Sequence, residues 1–312
     1  MIKVAIYGIK GEYPTTMLEK LVRQMPGSKP TLGNIEIVTN TEEADYYLII
    51  QSDSLATKDL TKDKKVFIQR EPEVVIPKTK FYSQEGGIHL GYAESFHFVT
   101  WHVDADYDSL KSLPYQKKSS PLLTILSHKR DTPGQRKRTD FVLDLSSRYP
   151  DVLDIYGTFS KVRYGLKQVR NIPVLEKIHS IYHRLRGHKQ KLSFNKLTIS
   201  LPYHYQLVME NSQETNYFSE KFADAILSWN IPIYWGCPNI HDFFPTDCYH
   251  NIDIADPDAF KVVNDIVNTP PTSKQIEALT EARQLILDKY NLFPALDKYL
   301  SQGKIKDLYG KQ

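Results

Sequence analysis

The segment "ENSQETNYFSEKF", Glu210 to Phe222, sets acids, amides, hydroxyls and one ammonium just ahead of an apolar periodic run. Phe218, Phe222, Ala225, Ile226 and Trp229 fall at i, i+4, i+7, i+8 and i+11, one face of a helix. With Asn216 or Thr215 as N-cap, the helix is predicted to begin near Tyr217, which places Glu220 and Lys221 in its first turn. A helix N-terminus is partly positive. Glu220 suits it, and an unpaired Lys221 costs a few tenths to ~1 kcal/mol. A phosphate would reverse that sign, because backbone N–H groups, helix dipole and ammonium would act on one anion. Spacing alone leaves a second reading open: a lysine whose stem covers apolar surface, or one paired with Glu220 or Glu214.

These residues need a scaffold, and the chain supplies alternating strands and helices. "IKVAIYG", "IEIVTN", "YYLIIQ", "KVFIQ" and "HFVTW" read as strands in the first third, and "TTMLEKLVRQM" as a helix. "LKSLPYQKKSSP" is polar and proline-containing and marks a boundary. Beyond it come the strand "LLTILS", a helix around Arg138–Ser147, the strands "DVLDIYG" and "LTISLPYHYQLVME", the helix after Tyr217, and the strand "IPIYWG". A tail helix is predicted from Ser273 to Tyr290. The expectation is α/β with two similar lobes facing a cleft, residues 1–118 and 119–312, built on mainly parallel sheets. "GIKG" after the first strand is not a dinucleotide fingerprint.

Composition narrows the classes. The 312 residues are 41% hydrophobic and 25% charged, a globular balance. A net charge of +3 does not demand nucleic acid. Cys237 and Cys248 are the only cysteines, too few for a disulfide framework and without CxxC spacing. No apolar run reaches the ~18 residues of a membrane span, and "MIKVAIYGIKG" reads as a strand rather than a signal peptide. A cytoplasmic protein, at most peripheral to the inner face of a membrane, is expected. Lys161–Lys196 carries ten Lys/Arg against one acid, Glu176. It is either a solvated surface or a docking surface for an anionic membrane or polymer.

"ENSQETNYFSEKFADAILSWNIPIYWGCPNIHDFFP" resembles the donor-binding signature of the α1,3-fucosyltransferases, family 10 glycosyltransferases that use GDP-fucose. The likeness runs without a gap over about 36 residues and includes polar positions that packing does not dictate. Weaker likeness extends from about Leu122 to Asp253, and the N-terminal third is much less alike.

The resemblance implies a fold of the GT-B type. It also implies that Lys221 contacts the donor diphosphate and that Glu220 holds the ribose, in keeping with an ammonium neutralising phosphate and a carboxylate accepting two hydroxyls. Asn211 and Tyr217 would lie against phosphates and sugar, although Asn211 also suits a turn and Tyr217 the helix core. In "SHKRDTPGQRKRTDFVLDL", Arg138 matches the family arginine that reaches the diphosphate, with Arg136 in reserve. The base implied on the other lobe is Glu71 of "KVFIQREPEVV", held extended by Pro72, with Glu73 as the alternative. No metal or other cofactor is implied. The implied partners are a GDP-sugar donor and a glycan acceptor containing N-acetylglucosamine. Another GDP-deoxysugar, or a non-catalytic glycan- or polyanion-binding protein of the same fold, are the alternatives. Asp104/Asp106 and Asp256/Asp258 form D-x-D patterns, read as turns, and His179/His183 are too sparse for a metal site.

Overall fold

In the computed structural model, residues 1–8, 12–51, 55–77, 87–92, 96–127, 129–157 and 195–301 are described. The basic stretch Lys161–Lys196 lies outside them apart from its last two residues, and His179 and His183 lie wholly outside.

The first lobe runs β1 (Ile2–Tyr7), α1 (Pro14–Leu21), β2 (Thr31–Leu32), β3 (Ile35–Ile37), β4 (Tyr46–Ile50), β5 (Lys65–Ile68) and β6 (Ile88–Leu90). The sheet order is β2-β3-β1-β4-β5-β6, parallel except for the β2–β3 pair. After the connecting helix α2 (Tyr107–Ser112), the second lobe runs β7 (Ser120–Leu126), α3 (Pro133–Arg148), β8 (Leu153–Gly157), α4 (Lys196–Ser200), β9 (Tyr203–Met209), α5 (Glu220–Leu227), β10 (Ile231–Trp235) and β11 (His250–Asn251). Helices α6 (Ala259–Val267), α7 (Ser273–Asp288) and α8 (Leu292–Ser301) follow. This second sheet is all parallel, in the order β11-β10-β9-β7-β8.

Leaving aside the short hairpin strand β2, both sheets have the same order when their strands are counted along the chain: second, first, third, fourth, fifth. That is a doubly wound order whose ligand crevice lies beyond the strand C-termini, between the first and third strands. The two-lobed α/β organisation expected from the sequence is thus present, with a topological likeness that no sequence repeat announces. Strands buried on both faces explain the unbroken apolar runs: all five residues of β10, "IPIYW", are buried.

Several elements differ from the sequence reading. "HFVTW" makes only an isolated bridge, Val99 with Asn291; its Val99 and Trp101 are buried in the core of the second lobe instead. The long predicted strand "LTISLPYHYQLVME" is α4 followed by β9, broken at Pro202, whose ring cannot donate to a ladder. Helix α8 crosses back, and Leu292, Phe293, Leu296 and Leu300 join the core of the first lobe. The stretch 119–312 therefore includes a helix seated on the other lobe. Asn291 locks this return: its Nδ2 donates to Gln24 O (2.7 Å), while Gln24 Nε2 donates to Trp101 O (2.9 Å).

Candidate active site

Helix α5 begins later than predicted. Its N-cap is Ser219, whose Oγ accepts from the Lys221 N–H. The delay has a local cause: Asn216 takes a left-handed conformation (φ 66°). Its amide pairs with Asn239, whose Oδ1 accepts from Asn216 N–H (2.8 Å) and whose Nδ2 donates to Asn216 Oδ1 (2.7 Å). That turn sends Tyr217 and Phe218 inward ahead of the helix. Lys221 remains in the first turn, as expected.

Lys221 has partners in the protein itself. Its Nζ donates to Glu210 Oε2 (3.3 Å), Ser219 Oγ (3.1 Å) and Glu220 Oε1 (3.3 Å). Glu210, at the end of β9, is fully buried and accepts from the Ser219 N–H and hydroxyl (2.7–3.0 Å). Pairing with Glu220 was one of the open readings. Glu214, the other named partner, points instead to the first lobe. Burial disfavours both charged forms, but the carboxylates of Glu220 and Glu210 outweigh it and hold Lys221 above the ordinary lysine range. Burial likewise works against ionised Glu220; Lys221, His102, Arg70 and Lys196 outweigh it and hold that carboxyl well below its usual range. Glu220 and Lys221 are therefore both charged at neutral pH, and 22% and 25% exposed respectively toward the cleft.

Arg138 reaches the same place from α3. Its Nη1 donates to Asn211 Oδ1 (2.9 Å) and Met209 O (3.3 Å), and Nη2 to Ser127 Oγ (3.2 Å). Its buried Nε has no acceptor among the described residues. Arg136 instead caps carbonyls of Arg130 and Asp131 at the surface. Thr132 and Gln135 form a capping box at the start of α3. Gly134 lets that end approach the loop after β9, since a Cβ there would lie 2.0 Å from Asn211 O. Gly134→Ala is expected to separate Arg138 from Asn211 and cost about 1–3 kcal/mol, the usual range for overpacking; a thermal melt against the parent protein checks it.

The first lobe contributes Glu71. Asn211 Nδ2 donates to Glu71 Oε2 (3.4 Å), so one amide side chain joins the guanidinium of Arg138 to this carboxylate. Burial first, and Glu220 second, raise the Glu71 carboxyl above its ordinary range, against the opposing pull of Lys221, Arg70 and Lys129. Glu71, His102, Ser127, Arg138, Asn211 and the Glu220–Lys221 pair all line one cleft of about 900 Å³ between the lobes. Its C-lobe wall is formed at the C-terminal ends of β7 and β9, the switch point of that sheet. The Glu73 side chain is exposed, and Glu73 is absent from this lining. Tyr217 is the site residue not brought to the cleft: it is 3% exposed and packs behind the wall against Tyr92, ring centroids 5.5 Å apart.

Sequence reasoning passed over Glu210 and Ser219, although both stand within the quoted motif. It also missed His102, whose Nε2 lies 2.7 Å from Arg70 Nη2. Buried Asp224 fixes the His102 backbone by accepting from its N–H (2.7 Å), and it also accepts from Lys196 Nζ (2.8 Å). Of the D-x-D residues, Asp104 lines the cleft, Asp106 caps α2, and Asp256 accepts from the Asp258 N–H in a turn. No helix among the described residues is long and apolar enough to cross a membrane.

Residues 115–269 match the model of glycosyltransferase family 10 (fucosyltransferase), C-terminal part. The chain is also similar to the α-(1,3)-fucosyltransferase FucT of Helicobacter pylori, 38% identical over 58 residues, which are 19% of this chain and 12% of that protein. Among solved structures, it is similar to an α1,3-fucosyltransferase with GDP-fucose (16% identity, TM-score 0.39, covering 93% of this chain and 92% of the other). It is also similar to an α1,3-fucosyltransferase with GDP (17% identity, TM-score 0.45, covering 98% and 90%).

Proposed function

We propose that this chain, whose residues 115–269 match the model of glycosyltransferase family 10, transfers L-fucose from GDP-β-L-fucose to a hydroxyl of an N-acetylglucosamine-type glycan, in α1,3 or α1,4 linkage. The observation that carries the reading is the composition of one cleft. Arg138 and the Glu220–Lys221 pair come from one lobe, and a carboxylate with raised proton affinity, Glu71, comes from the other.

The chemistry follows from the charges. Lys221 and Arg138 bind the diphosphate, and a phosphate oxygen can also satisfy the unpartnered Arg138 Nε. Glu220, ionised and partly exposed, accepts the ribose hydroxyls. Glu71 takes the proton of the acceptor hydroxyl as its oxygen attacks the anomeric carbon. The bond from that carbon to the phosphate oxygen breaks in the same displacement, so the configuration inverts. GDP leaves with its charge stabilised by Lys221 and Arg138. Protein cations supply the neutralisation, and this mechanism requires no metal.

GDP at about 100 times its Kd is expected to stabilise the protein by ~2.7 kcal/mol, a rise in Tm of several degrees, with UDP and ADP doing much less. Equal shifts with every nucleotide, or with heparin, would mark the cleft as a general polyanion site. Release of GDP from GDP-fucose, with and without N-acetyllactosamine, then separates transfer from binding alone.

A further inference from the structure

We propose that Glu214 is a positioning residue for transfer, acting from the donor-side lobe on the turn that carries Glu71. The proposal rests on the reading of Glu71 as the base. Glu214 lies in the loop between β9 and α5. Its Oε2 accepts from the Glu73 N–H (2.8 Å) and the Tyr92 hydroxyl (2.5 Å). Its Oε1 accepts from the Ser212 hydroxyl (2.8 Å) and the Val74 N–H (3.4 Å). Three of these four donors belong to the opposite lobe.

The clamped backbone is a single turn. Val75 and Ile76 N–H both donate to Pro72 O (2.9 and 3.0 Å). Gln69 pins the turn from its own lobe, its Nε2 donating to Glu71 O (3.2 Å) and Ile76 O (3.4 Å). Glu214 pins it from across the cleft, two residues after Glu71. The Tyr92 ring, packed on Tyr217, sets the hydroxyl that completes the set. The contacts that join the two lobes here also hold the turn that carries the base. Glu73 and Val74 N–H meet their carboxylate only where the turn abuts the loop after β9, and Asn211 on that loop meets Glu71 there.

A carboxylate is needed because both of its oxygens accept. A glutamine offers one acceptor oxygen and an N–H₂ that faces donors. Glu214→Gln is therefore expected to lower kcat about tenfold, read as GDP release from GDP-fucose with N-acetyllactosamine, while the calorimetric Kd for GDP stays within twofold. Tyr92→Phe keeps the ring packing and loses only the hydroxyl, so it is expected to show the same split at smaller size. If Glu214 acts through Glu71, adding Glu214→Gln to Glu71→Gln produces no further loss. Additive losses in the double variant, or GDP affinity falling as far as kcat, would overturn the proposal. Parent-level turnover in Glu71→Gln alone would instead overturn the base assignment beneath it.

Discussion

Lys221→Ala is expected to weaken GDP binding by ~100-fold and to lower thermal stability at the same time. A charge-assisted hydrogen bond contributes ~1.5–3 kcal/mol, and each 1.4 kcal/mol is tenfold in affinity. The loss lies at the upper end because the ammonium also screens two carboxylates. Without it, Glu210 keeps only the Ser219 N–H and hydroxyl, and Glu220 loses its nearest cation. Both acids then face the incoming diphosphate less well compensated, with His102, Arg70 and Lys196 still acting on Glu220 and Arg138 on both. Breaking a fully buried ion pair costs ~3–5 kcal/mol. Lys221 is 25% exposed, so water takes up part of the charge left behind, and about 1–3 kcal/mol is expected. Calorimetry with GDP and a thermal melt measure the two effects separately. A destabilised variant that binds GDP at parental affinity would leave Lys221 as a structural counter-ion and end its phosphate role.

The legible parts of this molecule are those whose information is local. The strands "YYLIIQ" and "IPIYWG" read directly, because strands covered on both faces are continuous apolar runs. The grouping of these polar cleft residues also reads directly, because Asn211, Glu220 and Lys221 stand within one loop and the helix it opens. The strand Ile88–Leu90 escaped notice: it is three residues long with His89 at its centre, too short for a period to show. The start of α5 was misplaced because the preference of Asn216 for a cap competes with its tolerance of the left-handed region. The second course prevails through Asn239, 23 residues away. The interlobe contacts are the least legible. Tyr92 and Glu214 are 122 residues apart, and no spacing rule links two such positions on separate sheets.

Glu71→Gln is expected to reduce turnover by ~10²–10⁴, the usual contribution of a positioned acid–base group, while GDP affinity changes less than threefold. The amide is the same size, and its carbonyl oxygen still accepts from Asn211 Nδ2. It cannot take a proton from the acceptor hydroxyl. The variant should also be more stable than the parent at neutral pH. Burial and the charge of Glu220 raise the folded-state proton affinity of Glu71 above the ordinary carboxyl value, ~4.3 for an unperturbed glutamate. Stability from such a group is fully present below the unfolded pKa and is lost as pH rises through the folded pKa. The parent therefore carries an unfavourable charge above that range, which glutamine removes, and the two melting curves should converge in acid. Activity runs the opposite way, because only the ionised carboxylate is a base. In the parent, kcat/KM should fall as pH drops through the raised pKa, with an acid limb above the ordinary carboxylate range; the variant should lack that limb. Parent-level turnover in a folded Glu71→Gln protein would move the base elsewhere, first to Glu73, which shares the same clamped turn but exposes its side chain outside the cleft lining.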